Sequence, residues 1–148
     1  MNNKTFWFGW VAVYITMQAI GFVIHGVVMT DYYIEMAEVF RPKESMDSMM
    51  GIMFVSSAIG LWLFCFIFTK GYEGKGIMEG VRYGAMMGLF LGLSTSVDAH
   101  VIYPITQELA MIWLASSIVG LMIAGAVFAA IYRPGGDRSV IQRDLSIN

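Results

Sequence analysis

The sequence has few charged residues and a single cysteine, and each scarcity excludes a class of protein. Only 14 % of the 148 residues are charged, against about a quarter in soluble globular domains, so an ordinary soluble fold is excluded. The lone Cys65 cannot form a disulfide within the chain. A net charge of −2 gives no basis for a nucleic-acid partner.

Motifs of enzyme chemistry are also missing. The sequence contains no phosphate-binding loop, no paired catalytic carboxylates, no nucleophile with a base at a readable spacing and no CxxC pair. No carboxylate lies in the middle of a long apolar run, where a proton or cation pathway would need one. We therefore expect a non-enzymatic protein without catalytic residues or a metal site.

Hydrophobic residues are abundant, at 57 % of the chain with a mean hydropathy of +0.66. A helix needs about 20 apolar residues to span a bilayer. Four runs meet this length, at residues 6–29, 49–69, 80–101 and 109–132. The first is longer than the apolar region of a signal peptide and lacks a clear cleavage site, so we interpret it as a retained helix. The sequence predicts an all-α fold, a four-helix transmembrane bundle within residues 1–132.

The distribution of lysine and arginine predicts the orientation. One side of the expected bundle carries most of them, Lys4, Lys70, Lys75, Arg82, Arg133, Arg138 and Arg143, against Arg41 and Lys43 on the other. Short loops rich in these residues stay in the cytoplasm. Both termini are therefore expected to be cytoplasmic, with residues 133–148 as a polar tail. The helical spans imply an inner-membrane location.

The loop after the first run, residues 31–48, has an amphipathic pattern. Its apolar residues recur at helical spacing, as Tyr32, Tyr33, Met36, Val39 and Phe40. This favours a short helix along the lipid headgroups, ended by Pro42. An irregular loop with tyrosines at the membrane interface is the alternative.

An internal duplication is also suggested. The segment MFVSSAIGL at residues 53–61 aligns with WLASSIVGL at residues 113–121, at an offset of 60. Two tandem helical hairpins would produce such a repeat. Convergence is an equal alternative, because small residues are common in all membrane-spanning helices.

Glycine recurs at every fourth position of the segment GIMEGVRYGAMMGLFLG, as Gly76, Gly80, Gly84, Gly88 and Gly92. Lipid tails are as apolar as leucine, so helices in a membrane are held together by close backbone contact, which glycine permits. The stripe predicts a glycine zipper, packed within the bundle or against a second copy or another membrane subunit. Gly60 and Gly120 belong to matching small-residue faces on the second and fourth runs.

A few polar residues in the runs are candidates for a site. His25 and His100 fall near the outer ends of two helices that run in the same direction, so they could ligate haem b or serve a quinone-associated electron carrier. A polar path near Gln18, His25 and Asp98 would instead fit a small transporter. The simplest interpretation of both histidines is a hydrogen-bonded interior or interfacial position. Glu79 and Arg82, one helical turn apart, predict a surface ion pair.

Three segments carry a resemblance to a known family: FIFTKGYEGKGIMEGVRYG, FRPKESMDSMMGIMF and IYRP. They resemble an uncharacterised bacterial family of small four-helix integral membrane proteins over most of the chain. The resemblance implies a fold and a membrane location, and no activity, cofactor or catalytic residue. The leading hypothesis is therefore an accessory or structural membrane subunit that packs through small-residue helix faces.

Overall fold

The computed structural model describes residues 3–133, and these form the all-α bundle of four long helices that the sequence predicts. The expected polar tail lies outside the described residues apart from Arg133. The helices are α1 (Asn3–Val23), α2 (Thr30–Glu35), α3 (Lys43–Lys70), α4 (Ile77–Gly92), α5 (Asp98–Ile102) and α6 (Gln107–Ile131). A first π turn, Ile24–Val28, continues α1, and a second π turn, Leu93–Val97, joins α4 to α5.

Four continuous helical stretches are long and apolar enough to cross a membrane, and they are Lys4–Val28, Lys43–Lys70, Ile77–Ile102 and Gln107–Ile131. The second of these stretches, Lys43–Lys70, begins earlier than the apolar run 49–69 found in the sequence. It starts directly after Pro42, which lacks a backbone N–H and is therefore tolerated where a helix starts. Glu44 lies in the first turn of α3, where the helix dipole favours a negative charge.

The short helix predicted in the first loop is present, but it ends at Glu35 rather than near Phe40. After Glu35 the chain turns back toward α6. Phe40 packs edge-on against Tyr33 and Trp113, with ring centroids 5.2 Å and 6.4 Å away. These aromatic contacts replace the continued helix.

Two hydrophobic clusters hold the bundle together. We call the end where α1 begins and α6 ends the proximal end, and the opposite end the distal end. The distal cluster is built on Met29, Ile105, Leu109 and Ala110. The proximal cluster is rich in aromatic rings and contains Phe6, Val13, Leu61, Phe64, Cys65, Phe68, Leu121, Ala124, Phe128, Ala129 and Tyr132.

The four long helices do not pack equally. α4 and α6 are in contact along most of their length, whereas α3 packs mainly against α1. In that pair, Trp10 Nε1 donates a hydrogen bond to the carbonyl of Ala58 (3.1 Å). The Tyr14 hydroxyl also donates to the carbonyl of Phe54 (3.4 Å). Leu61 is the first buried residue of α3, so the first half of α3 touches α1 on one side and is otherwise uncovered.

Glu79 organises the turn between α3 and α4. Its carboxylate accepts hydrogen bonds from the backbone N–H groups of Glu73 (2.6 Å) and Lys75 (2.7 Å). Only 8 % of Glu79 is exposed. The predicted ion pair with Arg82 is therefore wrong, since the carboxylate turns inward to the loop backbone, and within residues 3–133 its partners are these two N–H groups.

Candidate functional site

The glycines of α4 lie directly on α6. Gly80, Gly84, Gly88 and Gly92 are all buried. A Cβ added at Gly88 would stand 2.6 Å from the Cα of Ile118, well inside the separation at which carbon atoms pack. Ser117 Oγ also donates a hydrogen bond to the Gly88 carbonyl (3.2 Å). The α4 stripe is thus occupied by a helix of the same chain.

The other glycines expected in helix packing lie elsewhere. Gly76 precedes α4 in the turn, with a φ of 75° that favours glycine. A Cβ at Gly76 or at Gly60 would meet no atom within 4 Å. Gly120, on α6, faces Met17, whose Cε would lie 3.4 Å from an added Cβ. Gly60 in particular faces outward from α3.

The two histidines occupy different surroundings. His25 belongs to the first π turn, and its Nδ1 lies 2.6 Å from the hydroxyl oxygen of Tyr33. His100 belongs to α5, and its Nδ1 lies 2.8 Å from the carbonyl oxygen of Ile105. Each ring is therefore held through Nδ1 by a neighbouring segment. Within residues 3–133 neither Nε2 has a protein partner.

His25 lines a cleft of about 370 Å³ between α1, the second π turn and α6. We call it the distal cleft. Its polar lining comes from His25, Thr95, Ser96, Trp113, Ser116 and Ser117, and its apolar lining includes Met17, Ile20 and Ile24. Both π turns border it, and such turns are frequent at functional sites. His100 and Asp98 are not part of the lining.

Tyr33 connects α6 to His25. Trp113 Nε1 lies 3.2 Å from the Tyr33 hydroxyl oxygen, and an indole N–H can only donate. The Tyr33 oxygen therefore accepts from Trp113, and its own proton has two acceptors in reach, Nδ1 of His25 at 2.6 Å and the sulfur of Met29 at 3.6 Å. The ring nitrogen is nearer and a thioether sulfur is a weak acceptor, so we assign the proton to the bond with His25. This arrangement leaves the proton of a neutral His25 on Nε2. Burial raises the pKa of Tyr33 above its usual 10.0, so the hydroxyl stays a donor at neutral pH.

Gln18 and Asp98 do not join His25 in one path. The Nε2 atom of Gln18 is buried and has no hydrogen-bond partner among the described residues. Asp98 is exposed at the start of α5. Of the three residues expected along a polar path, only His25 lines the distal cleft. Over the described part of the chain, no group of three or more His, Cys, Asp or Glu residues could hold a metal ion.

Sequence reasoning missed Tyr33, Ser96 and Trp113 as site residues. Ser96 follows Gly92 at the four-residue spacing of the glycine stripe, and Tyr33 belongs to the amphipathic pattern of the first loop, so neither position suggests a site. The available indication was the segment LSTSV at residues 93–97, where three consecutive hydroxyl residues interrupt an apolar run. Its winding as a π turn is what brings Ser96 to the cleft.

The four long apolar helices define the protein as a multi-pass α-helical membrane protein. Comparison with known protein families, with curated proteins and with solved structures finds no match to this chain. Any more specific function has to be inferred from the geometry of the helix faces and of the distal cleft.

Proposed function

We propose that the protein is a non-enzymatic accessory or structural subunit that binds a second membrane-spanning protein, either another copy or a different subunit, through the first half of α3. The observation that supports this most directly is that no residue from Lys43 to Gly60 is buried. A groove of about 500 Å³ runs along this face, beside Gly51, Ile52, Val55, Ser56 and Ile59.

The chemistry of this face favours a helix over lipid. Ser56 and Gly60 both point outward, at the small-xxx-small spacing that lets two helix backbones approach. Ser56 has no hydrogen bond within the described residues, and lipid tails cannot supply one. A partner helix would offer close backbone contact and an acceptor for the hydroxyl, each interhelical hydrogen bond contributing about 0.6 kcal/mol.

The proposal includes an inner-membrane location with both termini cytoplasmic, and membership of the small four-helix bacterial family. The charge distribution supports the orientation, the four apolar helices support the membrane location, and the three segments named above carry the resemblance to the family. Lys70 at the end of α3 and Lys75 in the following turn lie at the proximal end, while acidic residues such as Asp31, Glu35 and Glu108 lie at the distal end. Short loops rich in lysine and arginine remain in the cytoplasm.

Replacing Gly60 with leucine tests the contact. A Cβ there meets nothing within 4 Å, so a leucine fits the single chain and blocks only the approach of a second helix. We expect Gly60→Leu to abolish assembly seen by native mass spectrometry in mild detergent, with the Tm unchanged. Gly21→Leu is the matched control, because Gly21 is equally open but lies on α1.

The control variant should assemble like the natural sequence. Two results would overturn the proposal: a protein that is monomeric and without a co-purifying membrane subunit when extracted from its own membrane, or a Gly60→Leu variant that assembles normally.

A further inference from the structure

The hydroxyl of Ser96 is an unfilled hydrogen-bonding group at the distal cleft. Ser96 is only 2 % exposed, and within residues 3–133 it makes no hydrogen bond. Its neighbours on the same π turn are satisfied, since Ser94 donates to the Phe90 carbonyl (3.3 Å) and Thr95 to the Leu91 carbonyl (2.9 Å). Ser96 lines the cleft, and among the described residues only Gln18 Nε2 is a fully enclosed polar atom without a partner. The Ser96 hydroxyl is therefore open to the cleft and has a donor available to the occupant.

His25 supplies a second donor to the same space. The chain of hydrogen bonds from Trp113 through Tyr33 ends on Nδ1 of His25 and leaves Nε2 carrying the proton. An occupant held by Nε2–H and by the Ser96 hydroxyl needs oxygen atoms that accept hydrogen bonds.

The lining also restricts the charge of the occupant. No Lys, Arg, Asp or Glu lines the cleft, so a charged group there would lose its hydration without gaining a counter-ion. The remaining lining is apolar, including Met17, Ile20 and Ile24, and suits a hydrocarbon tail. The volume of about 370 Å³ falls within the roughly 300–1,000 Å³ of small-molecule sites.

From these features we infer that the distal cleft binds a neutral, lipid-soluble molecule whose head carries hydrogen-bond-accepting carbonyl oxygens. A quinone and an ester-bearing neutral lipid share this chemistry. The site is separate from the α3 face, and it requires no redox step and no charge on the ligand.

Native mass spectrometry of the full-length protein in maltoside micelles tests the inference. The probes are decyl-ubiquinone, dioleoylglycerol and anionic phosphatidylglycerol. We expect saturable binding of a neutral probe. Ser96→Ala should weaken it about fivefold, the loss of one neutral hydrogen bond. Ser94→Ala is the matched control, since Ser94 is on the same turn, bonds to Phe90 and does not line the cleft.

Gly21→Leu provides a test that does not depend on Ser96. Gly21 lines the cleft, and a Cβ there meets nothing within 4 Å, so leucine should fill the space without disturbing the fold. We expect binding to be lost with no fall in Tm. Gly60→Leu, which tests assembly through α3, should bind the probe normally. A failure of the assembly proposal can therefore be distinguished from a failure of the ligand proposal.

The neutral probes distinguish the two sources of the ligand. Preference for either neutral probe supports the inference. Tighter binding of decyl-ubiquinone would assign the ligand head group as a quinone, and tighter binding of dioleoylglycerol would assign it as an ester. Binding of phosphatidylglycerol alone, saturable binding of no probe, or equal affinity in the natural protein and in Gly21→Leu would overturn it.

Discussion

Gly80 and Gly125 meet backbone to backbone, each with its carbonyl oxygen where a Cβ of the other would stand. Neither residue has a side chain, so α4 and α6 approach until their backbones are in contact. In a bilayer the hydrophobic effect gives little preference for helix contact over lipid contact, and dispersion across such a close interface takes its place. Much of the stability of the bundle should therefore reside between α4 and α6.

Replacing Gly84 with alanine should weaken this contact. The new Cβ would overlap the Leu121 carbonyl and stand 2.8 Å from the Cα of Met122, and neither backbone atom can rotate away. We expect a loss of about 1–3 kcal/mol in the free energy of unfolding, measured by titration with a denaturing detergent. Gly60→Ala, where a Cβ meets nothing, should change little. Equal losses in the two variants would contradict a special role for the α4–α6 contact.

The fold class and the four spans could be predicted because length and hydrophobicity are local properties of the sequence. The distal cleft could not. The three hydroxyl residues at 94–96 interrupt the apolar run but do not indicate a π turn, because the winding of Leu93–Val97 depends on the tertiary packing around it. Tyr33 is also held by Trp113, a residue 80 positions away in the sequence, and sequence spacing gives no sign of such a contact.

Glu79 was misjudged for a related reason. Spacing along a helix suggested Arg82 as its partner, whereas the preceding turn folds back and presents two N–H groups to the carboxylate. Sequence spacing reports neighbours on one helix, and it does not show which loop backbone lies over them.

Glu79→Ala should loosen the turn between α3 and α4. The backbone N–H groups of Glu73 and Lys75 would lose their acceptor, and hydrogen bonds to a charged group contribute about 1.5–3 kcal/mol each. We expect faster hydrogen exchange at both amides and a lower free energy of unfolding. Glu73→Ala is the control, because within the described part of the chain that exposed carboxylate forms its ion pair with the Lys75 ammonium alone. Unchanged exchange in Glu79→Ala would show that the carboxylate does not hold the turn.

Phe128→Ala should destabilise the proximal cluster. The Phe128 ring is fully buried and packs edge-on against Phe6 and Phe68, at centroid distances of 5.9 Å and 5.5 Å. Its removal leaves a cavity that these rings cannot close, for which we expect a loss of about 3 kcal/mol. Phe90 is the matched control, because it is 66 % exposed and belongs to neither hydrophobic cluster. If Phe90→Ala cost as much, aromatic packing at the proximal end would not be what stabilises the bundle.

Tyr32 and Glu108 give a pH-dependent contact between α2 and the start of α6. The Tyr32 hydroxyl donates a hydrogen bond to Glu108 Oε1 at 2.6 Å, and this bond is the main reason that the pKa of Tyr32 is raised above 10.0, with a smaller contribution from the charge of Glu35. Because the folded pKa is the higher one, the stabilisation is complete below the unfolded pKa and is lost as the pH rises through the folded pKa.

We therefore expect the ultraviolet titration step of Tyr32, obtained by subtracting the curve of Tyr32→Phe, to lie above pH 10.0. In Glu108→Gln the step should move to lower pH, because an amide accepts a weaker hydrogen bond than a carboxylate does and carries no charge. Glu35→Gln should move it less, since Glu35 acts through its charge alone. A larger shift in Glu35→Gln than in Glu108→Gln would mean that the local negative charge, and not the hydrogen bond, holds the phenol protonated.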